Sequence, residues 1–255
     1  MSAVVRAVGL VTGWGRGAEG WPRASTDGRA VVSLTPAPRA HDRLRRATRE
    51  CLLGVEAVEA MLEDGGVAPS ELAGEGTALV YVTAAAYGAS NRAFVEGGGG
   101  ALHFPYTAPS AVPAEVAIEL GICGPYAVLI GGPTATIDAL AHASALLARG
   151  ACVRALVLAV ETFAECEALH ARGGTLAVRP LVEAAAAVLL EVGVYVGAKS
   201  EGDAPEVDAG TVACAPLIAI ARAVAAGAPA VTVRGRWRDR EASLTLGVAE
   251  RVRGR

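Results

Sequence analysis

The chain has 255 residues, of which 53% are hydrophobic and 19% are charged, and its net charge is −3. These values predict one globular domain with a large core, and they argue against a nucleic-acid partner, which requires a basic field. The five cysteines are scattered without a CxxC pair, which favours the reduced cytoplasm and argues against a zinc site. Charges or prolines interrupt the most apolar windows, 184–196 and 212–233, so no membrane span is expected.

Local patterns predict strands and helices in alternation. A helix over 43–63 ends at Gly65-Gly66 and carries Cys51 on its apolar stripe as a core residue. Predicted strands cover 4–11, 77–83, 126–130, 154–160, 184–190, 230–234 and 242–248, and further helices cover 87–95, 113–120, 134–149 and 211–226. This alternation predicts an α/β fold with a mostly parallel sheet.

Two glycine- or arginine-rich segments carry no chemistry in this interpretation. The Gly-Trp-Gly-Arg-Gly run at 13–17 follows the first strand, but the residues after it do not open a helix, so no dinucleotide cofactor is expected. The run at 234–240 contains four arginines and is predicted to be a solvated hairpin turn.

The stretch from Gly124 to Gly150 is the most informative part of the chain. A Gly-Pro pair opens an apolar strand, a Gly131-Gly132 turn follows, and a helix begins on Pro133 and closes on Gly150. This order resembles the nucleophile elbow of β-ketoacyl synthases, in which the strand ends at a reactive cysteine. Pro133 stands at the cysteine position. Because proline has neither a thiol nor a backbone N–H, one residue removes both the nucleophile and an oxyanion donor.

The resemblance to ketosynthases extends over residues 40 to 195. It includes the helix over 43–63, the strand over 77–83, and Arg179-Pro180 before an apolar run. It implies a thiolase-like, layered αβαβα fold with a truncated second half. Residues 1–195 would form the ketosynthase N-terminal-like half, and residues 196–255 would form a shortened C-terminal half packed on the same domain.

The sequence departs from a working ketosynthase in its second half. That half of the family carries two catalytic histidines, one in a His-Gly-Thr-Gly-Thr run and one before an Asn-Ser-Phe-Gly run. This chain has neither motif, and its four histidines all precede residue 171. They are His41, His103, His142 and His170. The missing histidines and the missing cysteine together indicate a chain that does not condense acyl groups.

Ketosynthase-like chains without the nucleophile resemble chain length factors, the inactive partners of active ketosynthases in type II polyketide and aryl polyene pathways. The resemblance implies docking on an active ketosynthase through the strand with Tyr126, Val128 and Ile130. It implies a tunnel wall that draws on Phe104, Tyr106 and the start of the preceding helix. It also implies a heterodimer served by an acyl carrier protein, with no cofactor and no metal. The shortened second half is expected to expose apolar surface for a partner to bury.

Three alternatives stay open at this point. First, a nucleophile sits next to the elbow proline, as Thr134 or Thr136. Second, the chain is an acyltransferase or decarboxylase of the same fold, because Glu161, Cys166 and His170 are spaced to share a helix and would bring together an acid, a thiol and a base. Third, the chain is a degenerate fragment that fills space in a multienzyme complex.

Overall fold

The computed structural model describes residues 2–163, 180–193 and 210–250, apart from short gaps at 22, 24–25, 27, 39–43, 46 and 98–99. The strands in these ranges are β1 (Ser2–Thr12), β2 (Gly15–Arg16), β3 (Val31–Val32), β4 (Thr77–Thr83), β5 (Tyr126–Ile130), β6 (Arg154–Glu161), β7 (Leu181–Val182), β8 (Ala184–Gly193), β9 (Ala230–Trp237) and β10 (Arg240–Val248). The α-helices are α1 (Arg49–Gly65), α2 (Gly88–Val95), α3 (Ala111–Leu120), α4 (Pro133–Ala148) and α5 (Ala215–Ala225). None of these helices combines the length and hydropathy that a membrane span requires.

The main sheet has the strand order β5-β4-β6-β8-β1-β10-β9, and β2 pairs with β1 beside this path. β4 is parallel to β5 and β6, and β1 is parallel to β10. β8 is antiparallel to β6 and β1, and β9 is antiparallel to β10. The sheet is therefore mixed, and the expectation of a mostly parallel sheet was wrong. β9 and β10 join through a short turn, which permits only antiparallel pairing, while the continuous apolar run of β8 carries no signal of direction.

Helices cover both faces of this sheet. α1 and α3 pack on one face, with Leu53, Val116 and Leu158 in the shared core. α4 and α5 pack on the other face, with Leu140 and Ile218 in a second core. α4 also packs against both β4 and β9, which lie far apart in the strand order. The sheet therefore curls around α4.

The element bounds follow the sequence closely, with two corrections. β4 and β5 have the predicted bounds, and Gly66 ends α1 in the left-handed conformation, as the glycine stop predicts. α1 begins at Arg49 and not at residue 43, because Thr48 is extended. The helix predicted from residue 211 begins at Ala215 behind a 3-10 turn, because Val212 has a φ of 46°.

The β9–β10 hairpin has one apolar and one polar face. Val231 and Val233 are buried, whereas Arg234 and Arg236 are exposed, and Ser243 lies opposite Arg234 on the same outer face. The expectation that the second half exposes apolar surface was therefore wrong for its described residues. The exposed large apolar side chains of the described ranges lie in the N-terminal half: Val95, Leu102, Phe104, Ile118, Tyr126, Ile130, Val153 and Val192.

Candidate functional site

The elbow, defined as Gly131, Gly132 and Pro133, joins the end of β5 to the start of α4. The Gly131 N–H donates to the Thr83 carbonyl at 2.9 Å, and the Ala135 N–H donates to the Gly132 carbonyl at 3.0 Å. Pro133 is the first residue of α4, as the sequence predicts. Proline suits this position because its fixed φ matches a helix and its missing N–H would have no helical partner. The elbow is thus well formed and holds no thiol.

The β9–β10 hairpin covers the elbow. A Cβ atom on Gly132 would overlap the ring of Trp237, and a Cβ atom on Gly235 would lie 2.9 Å from the Cβ of Pro133. Arg240 lies 3.4 Å from Asp138, one turn further along α4. Acyl transfer at a helix N-terminus requires space there for a thioester carbonyl. In this chain the Trp237 ring occupies that side of Gly132.

The threonines that follow Pro133 are poorly placed as nucleophiles. Thr134 is buried, and Thr136 is completely buried and donates its hydroxyl to the Ala213 carbonyl at 2.6 Å. His142 is exposed on the same helix, about 13 Å from Pro133 along the axis at 1.5 Å per residue. The geometry places no imidazole of α4 beside these hydroxyls.

Glu161 is a completely buried carboxyl group at the end of β6. Its Oε1 accepts the N–H groups of Ala84 at 2.7 Å and Ala213 at 3.2 Å, and its Oε2 accepts the Ala85 N–H at 3.0 Å and the Thr83 hydroxyl at 3.4 Å. Burial raises the pKa of Glu161 to about 8 although these hydrogen bonds lower it. The carboxyl group thus joins three segments of chain and faces no solvent.

The predicted helical trio of Glu161, Cys166 and His170 needs a correction. Glu161 belongs to a strand, so it does not share a helix with the other two. Cys166 and His170 lie outside the described residues. Within the described ranges, histidine, cysteine and acidic side chains form no group of three that could hold a metal ion.

The predicted docking strand lies at an edge of the sheet. Among the described strands β5 pairs only with β4, so no described strand pairs with its outer edge. Tyr126 is 49% exposed and Ile130 is 52% exposed, while Val128 is partly buried against the core. An edge strand with open backbone groups and exposed apolar side chains is suited to pairing with another chain.

The predicted tunnel residues lie in the 3-10 turn Phe104–Thr107 beside α2 and α3. Phe104 is 61% exposed, and its ring centroid lies 5.6 Å from that of Phe94. Tyr106 is half-buried and its hydroxyl lies 3.0 Å from a carboxylate oxygen of Glu115. The Tyr126 hydroxyl donates to the Ser110 carbonyl at 3.4 Å, so β5 contacts the chain between this turn and α3. The exposed large apolar side chains of β5 and of the segment before α3 are together called the apolar face. They are Val95, Leu102, Phe104, Tyr126 and Ile130.

Trp237 is the site residue that sequence reasoning missed. The arginines of the run at 234–240 predict a solvated hairpin turn. The four arginines are exposed, but the turn itself is only Arg238 and Asp239, because β9 extends to Trp237 and β10 begins at Arg240, and Trp237 packs inward on the elbow. A glycine at 132 and another at 235 were the available signal, because glycine marks places where a bulky neighbour approaches the backbone.

The family model of the β-ketoacyl synthase N-terminal domain matches residues 37–180, more than half of the chain. A search of the curated proteins found no match. The ishigamide ketosynthase/chain length factor structure is 16% identical, with a TM-score of 0.67, and the match covers 96% of this chain and 98% of that chain. At this identity the similarity shows the fold alone.

Two further solved structures show the same fold. One is AntDE:AntF, a type II PKS acyl-carrier protein in complex with its ketosynthase bound to the hexaketide, which is 13% identical with a TM-score of 0.72 over 96% of this chain and 98% of that chain. The other is a ketosynthase (ApeO) in complex with its chain length factor (ApeC) from Xenorhabdus doucetiae, which is 14% identical with a TM-score of 0.60 over 91% of this chain and 95% of that chain. The predicted α/β, thiolase-like fold class is therefore confirmed.

Proposed function

The chain belongs to the β-ketoacyl synthase family through its N-terminal domain, and from this premise we propose that it is a non-catalytic, chain length factor-like subunit. In this proposal it pairs with an active ketosynthase and shapes the acyl tunnel in a type II polyketide, aryl polyene or fatty-acid-like pathway. Its residues 1–195 act as the ketosynthase-like half, and residues 196–255 act as a shortened second half that closes over the elbow.

One observation carries the non-catalytic part of this proposal. Pro133, which the resemblance puts at the nucleophile position, is the first residue of α4, and the Trp237 ring packs on the preceding Gly132. A missing nucleophile removes covalent chemistry, and a covered elbow removes the space that an acyl thioester would occupy. Both changes act at the same point of the fold. They support a subunit in which the elbow has a packing role and no catalytic role.

The apolar face supports the heterodimer. β5 has an open edge with Tyr126 and Ile130 exposed, and Leu102 and Phe104 are 74% and 61% exposed on the neighbouring segment. Large apolar side chains that cluster on a surface mark a site of protein association. An active ketosynthase with the same fold offers an equivalent edge strand, so the two strands could pair across a pseudo-twofold axis.

The tunnel and carrier parts of the proposal depend on that pairing. Phe104 and Tyr106 precede Ser110, which bonds to Tyr126 of β5, so in this proposal a partner docked on β5 brings its own acyl chain to their segment. The acyl carrier protein would then deliver substrate to the partner's active site. We place the pair in the cytoplasm, because the described cysteines Cys51, Cys123, Cys152 and Cys214 are free thiols.

The alternative of an acyltransferase or decarboxylase makes a different prediction. The purified chain should be incubated with acyl and malonyl thioesters, alone and together with an intact type II ketosynthase, and its mass measured. We expect the adduct on the ketosynthase only. A covalent adduct on this chain, at Cys166 as in this alternative or at Thr134 or Thr136 beside the elbow, would overturn the non-catalytic proposal. A chain that neither reacts nor binds the ketosynthase would be a degenerate fragment.

A further inference from the structure

The outer face of the β9–β10 hairpin carries a row of arginines. Arg234 and Arg236 are exposed on this face of β9, and Arg238, also exposed, follows in the turn. We call these three residues the arginine row. The run at 234–240 holds four arginines and one aspartate, in a chain whose net charge is −3. The arginine row is therefore a local positive surface on an acidic protein.

Two members of the arginine row are weakly compensated by carboxylates. Glu241 lies opposite Arg236 on β10, 3.7 Å from its guanidinium group, and the side chains of Arg236 and Glu241 are 71% and 75% exposed. An ion pair so exposed is screened by water and contributes little free energy. Within the described ranges Arg238 has no ion-pair partner. Both guanidinium groups are thus accessible to a negatively charged partner.

Arg238 occupies a backbone position that suits glycine. Because Trp237 pairs with Arg240, the turn consists of Arg238 and Asp239, and Arg238 has a φ of 57°. Two-residue hairpin turns favour glycine or asparagine at positive φ, since a larger side chain costs free energy there. The turn thus carries a cation at a position where glycine would be less strained. A strained residue that folding alone does not require indicates a function for its side chain.

The inner face of the hairpin fixes the arginine row. Gly235 and Trp237 pack against the elbow, and Arg240 lies 3.4 Å from Asp138 of α4. Because successive side chains of a strand point to opposite faces, this packing directs the two arginines of β9 outward. A charged row on a strand that is already held in place loses little conformational freedom when a partner binds.

We propose that the arginine row docks an acidic α-helix of a protein partner that binds transiently. Alternate residues of a strand are about 6.8 Å apart, and residues four apart on a helix are separated by about 6 Å along its axis. A helix with a carboxylate at every fourth position therefore matches the spacing of the guanidinium groups. Exposed ion pairs form quickly and are screened by salt, so binding through them is reversible. The arginine row lies outside the apolar face, so this inference goes beyond the proposed ketosynthase pairing.

A protein helix fits the arginine row better than a nucleic acid does. The chain has 26 acidic and 23 basic residues, so its surface as a whole repels a long phosphate backbone. An acidic helix that contacts the three arginines avoids most of this repulsion. Duplex DNA and anionic vesicles are therefore the competing probes in the test.

Titration with a synthetic acidic helix tests the proposal. The probe is a fluorescein-labelled, alanine-rich peptide of about 20 residues, long enough to form a helix, with glutamate at every fourth position. Its fluorescence anisotropy is followed as the full chain is added. We expect saturable binding that weakens about tenfold when the salt concentration rises from about 0.05 M to about 0.5 M, because the Debye length falls from about 14 Å to about 4 Å.

Control probes define the outcomes that overturn the proposal. The same peptide with glutamine in place of each glutamate should not bind. No binding of the acidic peptide, or equal binding of the two peptides, would overturn the proposal. Tighter binding of duplex DNA or of vesicles that contain phosphatidylserine would overturn it in favour of another class of partner.

Four variants separate docking from folding. Arg238→Gly removes a cation and relieves the strained φ, so it should weaken peptide binding about threefold without lowering the melting temperature. Arg236→Gln should weaken binding by a similar factor, and the two changes together by about tenfold. Arg149→Gln, an exposed arginine about 24 Å from Pro133 at the far end of α4, should bind like the natural chain. Unchanged binding in the double variant, or an equal loss in Arg149→Gln, would contradict docking at the arginine row.

Discussion

The Trp237 ring lies against Gly132 so closely that a Cβ atom at residue 132 would overlap it. Gly235, on the same strand, lies in the same way against Pro133. These contacts connect the C-terminal hairpin to the first turn of the central helix α4. They make the elbow a packing interface between β9 and the start of α4.

This packing predicts a strong coupling between residues 132 and 237. Gly132→Ala should destabilise the chain by about 1–3 kcal/mol, because the added methyl group meets the indole ring. Trp237→Ala should cost about 2 kcal/mol through lost packing. In the double variant the methyl group has room, so the combined loss should fall short of the sum by about 1 kcal/mol or more. Urea unfolding of the four chains measures this difference, and additive losses would show that the two residues do not touch.

Restoring the thiol should not restore catalysis. In Pro133→Cys the thiol would stand at the positive end of the α4 dipole and could react with an alkylating reagent. We expect no turnover of acyl and malonyl thioesters, because the hairpin covers the elbow and the second half lacks both histidine motifs. The double variant Pro133→Cys/Trp237→Ala tests the two causes separately. It should react faster with the alkylating reagent and still not condense, and condensation by either variant without a partner would contradict the account.

The ion pair of the buried Glu183 with the partly buried Arg49 predicts an acid sensitivity. Glu183 is completely buried, and two guanidinium nitrogens of Arg49 lie 2.6 Å from its two oxygens. Burial raises the pKa of Glu183, but the bonds from Arg49, Leu34 and Phe163 outweigh it and hold the pKa below its usual value. A lowered pKa stabilises the folded chain fully above about pH 4.5, the ordinary value, and this contribution is lost as the pH falls.

Removing Arg49 should therefore be costly. Arg49→Met leaves a buried carboxylate without its cation and should cost about 3–5 kcal/mol at pH 7. It should also move the acid unfolding midpoint, followed by circular dichroism, to higher pH. Arg154→Met is the matched control, because the partners of Arg154, Glu71 and Glu191, are partly exposed and the loss there should be about 1 kcal/mol. Equal losses in the two variants would contradict the buried-pair argument.

Phe104 allows a test of the proposed tunnel. Because Phe104 is 61% exposed and touches Phe94, Phe104→Ala should cost the isolated chain only about 1 kcal/mol. In the reconstituted complex the same change should lengthen the product by one or more extension units if this side chain faces the partner's acyl chain. Val153→Ala, an exposed apolar residue before β6, is the control and should leave the product unchanged. Mass analysis of the carrier-bound chains decides, and an unaltered length with a folded complex would remove Phe104 from the tunnel.

Local features of the fold could be predicted because they depend on neighbouring residues. The β-branched run at Thr77–Thr83 and the Gly66 helix stop specify their conformations within a few residues, and both occur as predicted. The start of α4 at Pro133 follows in the same way from the fixed φ of proline. The direction of β8 could not be predicted, because its alanine-rich run fits either direction equally well.

Contacts between distant parts of the chain could not be predicted. Nothing near Glu161 indicates that its carboxyl group accepts the Ala213 N–H, since Ala213 lies 52 residues further along the chain. The same holds for Trp237 and Gly132, whose contact depends on how the sheet curls around α4. The resemblance to the family predicts a docking role for β5, which stays a prediction, but the position of β5 at a sheet edge could not be predicted, because it depends on the strand order.

Binding to an intact ketosynthase tests the central claim most directly. Ile130→Asp places a charge on the exposed edge of β5. A charge at Val128 would be a poorer test, because Val128 packs partly on the core and its substitution would weaken folding as well as docking. Val153→Asp is the matched control on another surface of the same chain. Sedimentation of the coexpressed pair should show a stable complex for the natural chain and Val153→Asp, and separate subunits for Ile130→Asp with its melting temperature unchanged. A complex of unchanged affinity in Ile130→Asp, or a natural chain that remains a monomer beside the ketosynthase, would contradict the account.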